Sequence, residues 1–380
     1  MTHAPTPPVL AADETRAMRD AVRGFMATHS SEPEVRRLAD TAAGYECDTW
    51  LRASNELGLA GLCIPERYDG SGLPLEALDL VQREAGRALS SLPILSSAVL
   101  ATRVLLACDD EWARAEWLPR LASGRYTAAL AFLEPGHDWE RHTSNVTVHG
   151  DSARLTGTKT PVLDGGTADL LIVSASDQDG SSLYLVEADA AGLQRAPLAT
   201  MDITRKQSRI EFNDVAARRL GAGGNAAAVL TEAIDHARIA LAAEQLGGAE
   251  FCVDLTVEYV RQRHQFGRAI GSFQAIKHRC ADLLVELERA RSAVHYAVTQ
   301  VDEGGDLAEA AALAASCCGD VFTKVAAETI QLHGGIGVTW EHPAHLYFRR
   351  AHSDAALLGS PASHRARLLR AAVAGHTLVR

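Results

Sequence analysis

The sequence predicts an α+β protein with three domains in the order helical, β and helical. Apolar residues recur at three- and four-residue intervals through much of the first 125 or so residues, short alternating segments separated by turn clusters follow, and long apolar stripes occupy the remainder. The changes of pattern predict domains over residues 1–126, 127–220 and 221–380. With 380 residues, of which 47% are hydrophobic and 22% charged, the chain can bury cores for two or three domains.

The first domain is predicted to be entirely helical after a Pro-rich lead. The second helix should end at Gly58, because glycine readily adopts the left-handed conformation that terminates a helix. The predicted helices are Asp13–Ser30, Thr49–Leu57, Leu75–Ala88 and Ser96–Cys108.

The middle domain is predicted to consist of strands of five to eight residues. Turn clusters rich in Gly and Asp separate them, as in Asp177–Gly180. The predicted strands are Asn145–His149, Ser152–Lys159, Asp169–Ser174, Ser182–Glu187 and Ser208–Phe212. The loop Met201–Arg205 precedes the last strand, and it either faces a substrate or forms an exposed turn.

Long helices are predicted from Ala226 almost to the end. One arrives with Arg261 and Arg263, breaks at Gly267 and Gly271, and restarts near Phe273. Apolar residues from Leu283 to Val301 keep one stripe, and a further Ala-rich helix stops at Gly334-Gly335.

Charge and composition exclude several classes of function. A formal net charge of −11 argues against nucleic acid or an anionic membrane as a general partner. No apolar run is judged long enough to span a bilayer and the N-terminus lacks a signal-peptide pattern, so a cytoplasmic protein is expected. The seven cysteines contain no Cys-x-x-Cys pair, and the histidines at 264, 278, 333 and 342 have spacings that fit no metal site.

Two blocks of the last domain resemble the acyl-CoA dehydrogenase family. An arginine beside an aromatic residue at a helix break suits a ligand with a phosphate and a ring. The two blocks occur in the family's order and spacing, which makes the pair more specific than either alone. They are Arg263-His-Gln-Phe-Gly267 with Ile270, Phe273-Gln274 and Ala281-Asp282, and Gln331–Thr339 with Glu341, Pro343 and Arg349-Arg350-Ala351.

This resemblance implies a β-barrel or sandwich in the middle and a four-helix bundle at the C-terminus. It also implies oxidation of an acyl-CoA thioester to the 2-enoyl-CoA, in which a carboxylate removes the α-proton and FAD accepts the β-hydride. Asp235 and Arg238 match family positions near the CoA chain. Family positions that reach across a subunit boundary to the pyrophosphate and adenosine of FAD correspond to Arg263, Gln265, Phe266, Gln274, Gln331, Gly334 and Gly335.

The chain departs from the family at the catalytic base. Most members carry a Glu where this sequence has Leu358, and others carry it where this sequence has Ala237. Neither residue can accept a proton. The resemblance therefore implies no catalytic residue in this chain at the usual positions.

The flavin-ring contacts depart as well. The two hydroxyl residues that the family uses to hydrogen-bond the ring are replaced by Leu133 and Leu163, and its covering Trp is replaced by Pro161. A buried polar ring edge without those donors would lose about 1–3 kcal/mol for each.

A chain that keeps one half of a flavin site and loses the other resembles one subunit of the actinobacterial α2β2 acyl-CoA dehydrogenases. Several of these enzymes act on steroid side-chain CoA thioesters. The leading hypothesis is that a second acyl-CoA dehydrogenase subunit supplies the Glu and the ring contacts. The acceptor expected by analogy is an electron-transferring flavoprotein. Two alternatives stay open: a homotetramer whose base is displaced to Asp354 or Glu244, and a non-catalytic acyl-CoA-binding or scaffold protein.

Overall fold

The fold is described from a computed structural model, which covers residues 11–136, 139, 146–149 and 153–377. Two positions used in the sequence predictions lie outside these residues: Asn145 and Ser152. The Pro-rich lead, residues 1–8, lies outside them too.

The N-terminal region is helical, and three of its four predicted helices are confirmed within a few residues. The helix that ends at Gly58 does so with this glycine at φ 67°, where its N–H bonds to the carbonyls of Ala53 and Ser54. Two further helices were not predicted; both are rich in charged residues. The α-helices here are α1 (Ala12–His29), α2 (Glu32–Ala39), α3 (Cys47–Leu57), α4 (Leu75–Arg87), α5 (Thr102–Ala107) and α6 (Glu111–Ala122).

The fourth predicted helix, Ser96–Cys108, is a π-helix over Ile94–Ala101 followed by α5. All eight π-helical residues are buried. Because no face of this helix is exposed, the sequence shows no apolar–polar periodicity that would indicate how tightly the chain winds. Two side chains tie this segment to the next domain: Ser97 Oγ accepts a hydrogen bond from Ala128 N at 3.0 Å, and Ser96 Oγ donates one to Asp164 Oδ2 at 2.5 Å.

The middle region is an eight-stranded mixed sheet. Its order is β6-β7-β3-β2-β4-β5-β8, and β1 pairs with β4 in parallel. All five predicted strands are present in the described residues, whereas β1, β6 and β8 were not predicted: β1 is a fully buried Ala-rich run, β6 contains no buried residue and β8 has only three residues. The strands are β1 (Ala128–Ala131), β2 (Thr147–His149), β3 (Arg154–Leu163), β4 (Leu170–Asp177), β5 (Gly180–Glu187), β6 (Leu193–Pro197), β7 (Gln207–Ala216) and β8 (Arg218–Leu220).

A buried ion pair lies within this sheet domain. Lys159 on β3 is fully buried, and its Nζ lies 2.6 Å from Glu134 Oε1, 3.0 Å from Ser174 Oγ and 3.2 Å from the Phe132 carbonyl. Burial lowers the pKa of Lys159 to about 8, while the Glu134 carboxylate opposes that shift. Lys159 therefore remains largely protonated at neutral pH, and the pair links β3 to the segment that follows β1.

The C-terminal helices confirm the predicted breaks. The apolar stripe predicted from Leu283 onward is buried, and α9 contacts α8, α10 and α11, as the central helix of a bundle does. The elements are α7 (Ala226–Gln262), β9 (His264–Gln265), β10 (Arg268–Ala269), α8 (Gln274–Asp302), α9 (Leu307–His333), α10 (Ala344–Asp354) and α11 (Pro361–Thr377), with short 3₁₀ turns at Ile270–Ser272 and Gly334–Val338.

The chain divides into two compact units. Among the described residues, one consists of 11–14, Glu34–Leu78 and Ser91–Ala237, and the other of Thr15–Pro33, Asp79–Ser90 and 238–377. The three consecutive domains predicted from the sequence remain a prediction as to their boundaries.

Within the second unit, α4 and α7 cross at two glycines. A Cβ added to Gly86 would lie 2.0 Å from the Glu244 carbonyl oxygen, and one added to Gly247 would lie 1.8 Å from that of Arg83. Only glycine permits backbones to approach so closely. Glu250 lies beside this crossing and accepts hydrogen bonds from Arg83 Nε at 2.8 Å and Arg291 Nη2 at 2.5 Å. Burial alone would raise the pKa of Glu250, but these guanidinium groups hold it below its usual value.

One helical stretch departs from the expectation that no apolar run could span a bilayer. Leu307–Val338 is long and apolar enough by length and composition, with a mean hydropathy of 1.3. Its most apolar window is 61% buried, which is typical of the core helix of a bundle.

The Lys159–Glu134 pair generates a stability prediction. Replacing Lys159 with Met should lower the free energy of unfolding by about 3–5 kcal/mol, because it leaves a buried carboxylate without its cation. The exposed pair Arg209–Glu211 provides the control, since Arg209→Met should cost about 0–1 kcal/mol. Urea unfolding of both variants measures the difference; equal, small costs would contradict a charged buried pair.

His236 on α7 predicts a loss of stability at acidic pH. Burial, aided by the positive charge of Arg103, lowers the pKa of His236 to about 3. The unfolded chain takes up this proton below about pH 6.5, whereas the folded chain does not until about pH 3. The contribution is therefore present above pH 6.5 and is lost as the pH falls toward 3. Urea midpoints at pH 7, 5 and 4 should fall less steeply in His236→Phe than in the native chain, and the exposed His278→Gln should leave the slope unchanged.

Candidate functional site

The predicted cofactor residues between α7 and α8 lie on an exposed projection, residues 261–281, which we call the arm. Strands β9 and β10 pair Gln265 with Arg268, so Phe266 and Gly267 form the two-residue turn between them. Both have positive φ, 54° and 78°, as a type I′ hairpin turn requires. A bulky residue rarely adopts this conformation, and it leaves the Phe266 ring 90% exposed. Backbone strain of this kind concentrates at functional sites.

The arm is strongly basic although the chain as a whole is acidic. It contains no Asp or Glu, and its cations are Arg261, Arg263, Arg268, Lys277 and Arg279. Arg268 lies over the ring of Phe273, with 3.9 Å between the guanidinium carbon and the ring centroid, and Arg279 reaches Glu328 at 3.5 Å. Such a concentration of positive charge favours an anionic ligand.

No residue of the arm is buried, and the predicted cofactor residues Arg263, Gln265, Phe266 and Gln274 are all exposed. Isolated helix ends and two-residue hairpins are marginally stable in water without packing partners. The arm is therefore suited to contact a ligand or another chain.

The remaining predicted cofactor residues lie at the end of α9. Gln331, Gly334 and Gly335 are exposed, and a Cβ built at either glycine meets no atom within 4 Å. Gly334 has φ 63° and its N–H caps the helix on the carbonyls of Ile330 and Gln331. The open backbone of these two glycines leaves room for a ligand to approach closely.

Tyr259, which sequence reasoning missed, connects the arm with this turn. Its hydroxyl donates to the His333 carbonyl at 3.3 Å, and its own carbonyl accepts from Arg263 N at 2.8 Å. Arg263 therefore lies one helical turn beyond Tyr259, the residue that contacts the end of α9. An aromatic residue four positions before the arginine was the available signal.

The positions predicted to have lost the flavin-ring contacts are apolar and closed. Leu133 is 3% exposed and Leu163 is 8% exposed. Thr160 N donates to the Leu133 carbonyl at 2.8 Å, which holds the two segments together beside Pro161. Neither leucine offers a hydrogen-bond donor.

Both usual positions of the base are buried and lack a carboxylate. Leu358 is 1% exposed and has φ 60°, while Ala237 is fully buried. Arg238 is buried as well and its Nε donates to the Leu358 carbonyl at 2.9 Å. Arg238 thus positions the loop that carries Leu358. Asp235, the other predicted substrate residue, is 2% exposed.

The two candidates for a displaced base are also buried. Glu244 accepts a hydrogen bond from Arg350 Nη1 at 2.5 Å, and both side chains are almost fully buried. This ion pair favours a structural role for Glu244. Asp354, at the end of α10, is 1% exposed.

Comparisons with known proteins agree with this architecture. The family model described as acyl-CoA dehydrogenase, N-terminal domain, matches residues 12–125, and the one described as acyl-CoA dehydrogenase, C-terminal domain, matches residues 224–373. Acyl-CoA dehydrogenase IpdE2 of Mycobacterium tuberculosis is 36% identical over 359 residues, which cover 94% of this chain and 95% of that relative.

Two solved structures are similar over nearly the whole chain. A variant of the Tcur3481-Tcur3483 steroid ACAD has 31% identity and a TM-score of 0.86, covering 96% of this chain and 99% of the matched one. The ChsE4-ChsE5 complex from Mycobacterium tuberculosis has 27% identity and a TM-score of 0.85, covering 95% and 97%.

The bond from Arg238 to the Leu358 loop can be tested by substitution. Arg238→Met should lower the free energy of unfolding by about 1–3 kcal/mol, because it leaves a buried carbonyl without its donor. Arg261→Met, on the exposed arm, should change it by no more than about 0.5 kcal/mol. Equal changes in chemical denaturation would show that Arg238 does not hold the loop.

Proposed function

Because this chain belongs to the acyl-CoA dehydrogenase family, we propose that it is one subunit of a heteromeric FAD-dependent enzyme that desaturates an acyl-CoA thioester to the 2-enoyl-CoA. It contributes the half-site for the pyrophosphate and adenosine of FAD. A partner subunit of the same family contributes the catalytic Glu and the contacts to the flavin ring. The observation that carries this proposal is the contrast between the open, basic arm and the closed leucines at 133, 163 and 358.

Members of the family are FAD-dependent flavoproteins. The arm and the Gly334-Gly335 turn fit the phosphate part of that cofactor, since they combine exposed guanidinium groups with open backbone. The leucines at 133 and 163 do not fit the polar edge of the ring. This chain therefore suits one half of the cofactor only.

The proposed roles of the residues follow from their chemistry. Arg263 binds the pyrophosphate through its planar fork of donors, Gln265, Gln274 and Gln331 supply amide groups, and the Phe266 ring excludes water. FAD held by these residues would supply the acceptor for the hydride of the β-carbon. Asp235 and Arg238 lie beside the CoA chain, and Arg238 also holds the Leu358 loop in place.

The partner's Glu removes the α-proton, because Leu358 and Ala237 cannot. An α2β2 assembly supplies both halves of the site. The comparison proteins support this organisation, since two of them are described as pairs of differently named chains, and one of those pairs as a steroid ACAD. The substrate we propose is accordingly an acyl-CoA with a steroid-derived acyl group, the acceptor is an electron-transferring flavoprotein, and the location is the cytoplasm.

The first test compares the visible absorbance spectrum of this chain purified alone with that of the chain co-purified from its native host. A colourless lone chain and a yellow complex, containing a second chain with the family's Glu at equal stoichiometry, are expected. A lone chain that is already yellow and is reduced by an acyl-CoA would overturn the proposal in favour of a homotetramer. A complex without flavin would favour the acyl-CoA-binding scaffold.

Substitutions on the arm test the half-site. Arg263→Gln and Phe266→Ala should each release most of the flavin from the complex, because they remove a phosphate contact and a covering ring. Both residues are exposed, so neither substitution should change the free energy of unfolding of the lone chain, measured in urea, by more than about 0.5 kcal/mol. Arg52→Gln, in an exposed pair with Glu56, serves as the control and should retain flavin. Full flavin content in both arm variants would contradict the assignment.

Asp354→Asn separates the proposal from the displaced-base alternative. With the base on the partner subunit, turnover of the purified complex should stay within about twofold, since removing a true general base costs about 100- to 10,000-fold. Steady-state assays with the reconstituted complex make this comparison. A loss of that size with flavin retained would assign the base to Asp354.

A further inference from the structure

His333, the last residue of α9, is enclosed by aromatic rings directly before the Gly334-Gly335 turn. It is 3% exposed. Its ring centroid lies 4.4 Å from that of Tyr259, at an interplanar angle of 26°, and 4.6 Å from that of His342, at 51°. Offset and tilted contacts at these distances are favourable for aromatic rings. The buried ring of His333 therefore packs against the rings of Tyr259 and His342.

The hydrogen bonds and the burial of its ring favour a neutral form for His333. His333 Nδ1 lies 2.7 Å from the Thr329 carbonyl, which can only accept, so Nδ1 carries the hydrogen. Its Nε2 is buried and has no hydrogen-bond partner among the described residues. His342 Nδ1 accepts from Ala344 N at 3.2 Å and so carries no hydrogen. Burial lowers the pKa of His333, and the Thr329 bond only partly opposes this.

The stack joins three elements that surround the turn. Tyr259 belongs to α7, His342 lies just before α10, and the 3₁₀ turn Gly334–Val338 folds back onto His333 itself. A Cβ added to Gly337 would lie 3.0 Å from His333 Cβ. The Tyr259 hydroxyl also donates to the His333 carbonyl, the last peptide group before Gly334. The buried ring thus lies where α7, the segment before α10 and the start of the glycine turn meet.

We propose that His333, stacked between Tyr259 and His342, is a positioning residue that holds the Gly334-Gly335 backbone in the conformation that receives the cofactor. The positioning itself is a property of this chain. Only its consequence for flavin binding rests on the proposed function. What the position requires is a flat, uncharged ring, so Phe should substitute for His and Ala should not.

Amide hydrogen exchange of the full-length chain tests the positioning without any cofactor. In His333→Ala, the peptide covering residues 334–340 should exchange about three- to tenfold faster, which corresponds to the loss of one aromatic stack. His333→Phe should restore slow exchange. His364→Ala is the matched control, since His364 is 2% exposed and bonds the Gly359 carbonyl at 3.2 Å. It should leave residues 334–340 unchanged. Unchanged exchange in His333→Ala, or faster exchange spread over all helices, would overturn the inference.

Flavin content of the complex purified from the native host tests the consequence. His333→Ala should lose flavin and His333→Phe should keep it, as absorbance near 450 nm reports. If His333→Ala alters exchange at 334–340 yet retains all its flavin, the link between the stack and the cofactor is wrong. If the native complex itself holds no flavin while the exchange results are as expected, the proposed function fails and the positioning role stands.

Discussion

The close crossing of α4 and α7 is the constraint on which the second unit depends. At Gly86 and Gly247 each helix lies against a carbonyl of the other, so any side chain there would force the helices apart. Glu250 then binds Arg83 of α4 and Arg291 of α8, which fixes the rotation of α7 about its axis. Helix α7 continues for about 22 Å beyond Gly247 at the usual rise per residue. The position of Tyr259 and of the arm is set by this crossing.

Local sequence signals predicted most of the helices, because a single apolar stripe or a terminating glycine is enough to define them. Gly58, Gly334-Gly335 and the break before Gln274 are examples. These sequence patterns did not predict the secondary structure of segments that are completely buried. Strand β1 and the π-helix have no polar face, so periodicity cannot show whether the chain is extended or how tightly it winds. Strand β6 contains no buried residue and β8 has only three residues, so neither shows the alternation of a half-buried strand.

The sequence predicted which residues belong to the candidate site but not how those residues are arranged in space. The arm and the two glycines were identified from their order in the chain, and the structure adds that they are exposed and basic. Interactions between distant residues could not be predicted. The Arg238 bond to Leu358 and the stack of Tyr259, His333 and His342 join residues 9 to 120 positions apart, and nothing in the local pattern of one sequence encodes such pairs.

Under the proposed function, the closed leucines limit the number of flavins that the assembly can hold. In an assembly where every chain keeps both halves of the cofactor site, each chain completes the site of a neighbour. The number of flavins then equals the number of chains. A chain that contributes its arm but has no ring site of its own completes a cofactor site only in its neighbour. An assembly with equal numbers of the two chains then holds at most one flavin for every two chains. Under the same proposal, the buried segments around Leu133 and Leu163 do not have to accept a ring, so packing alone limits substitution there, whereas the cofactor limits substitution in the arm.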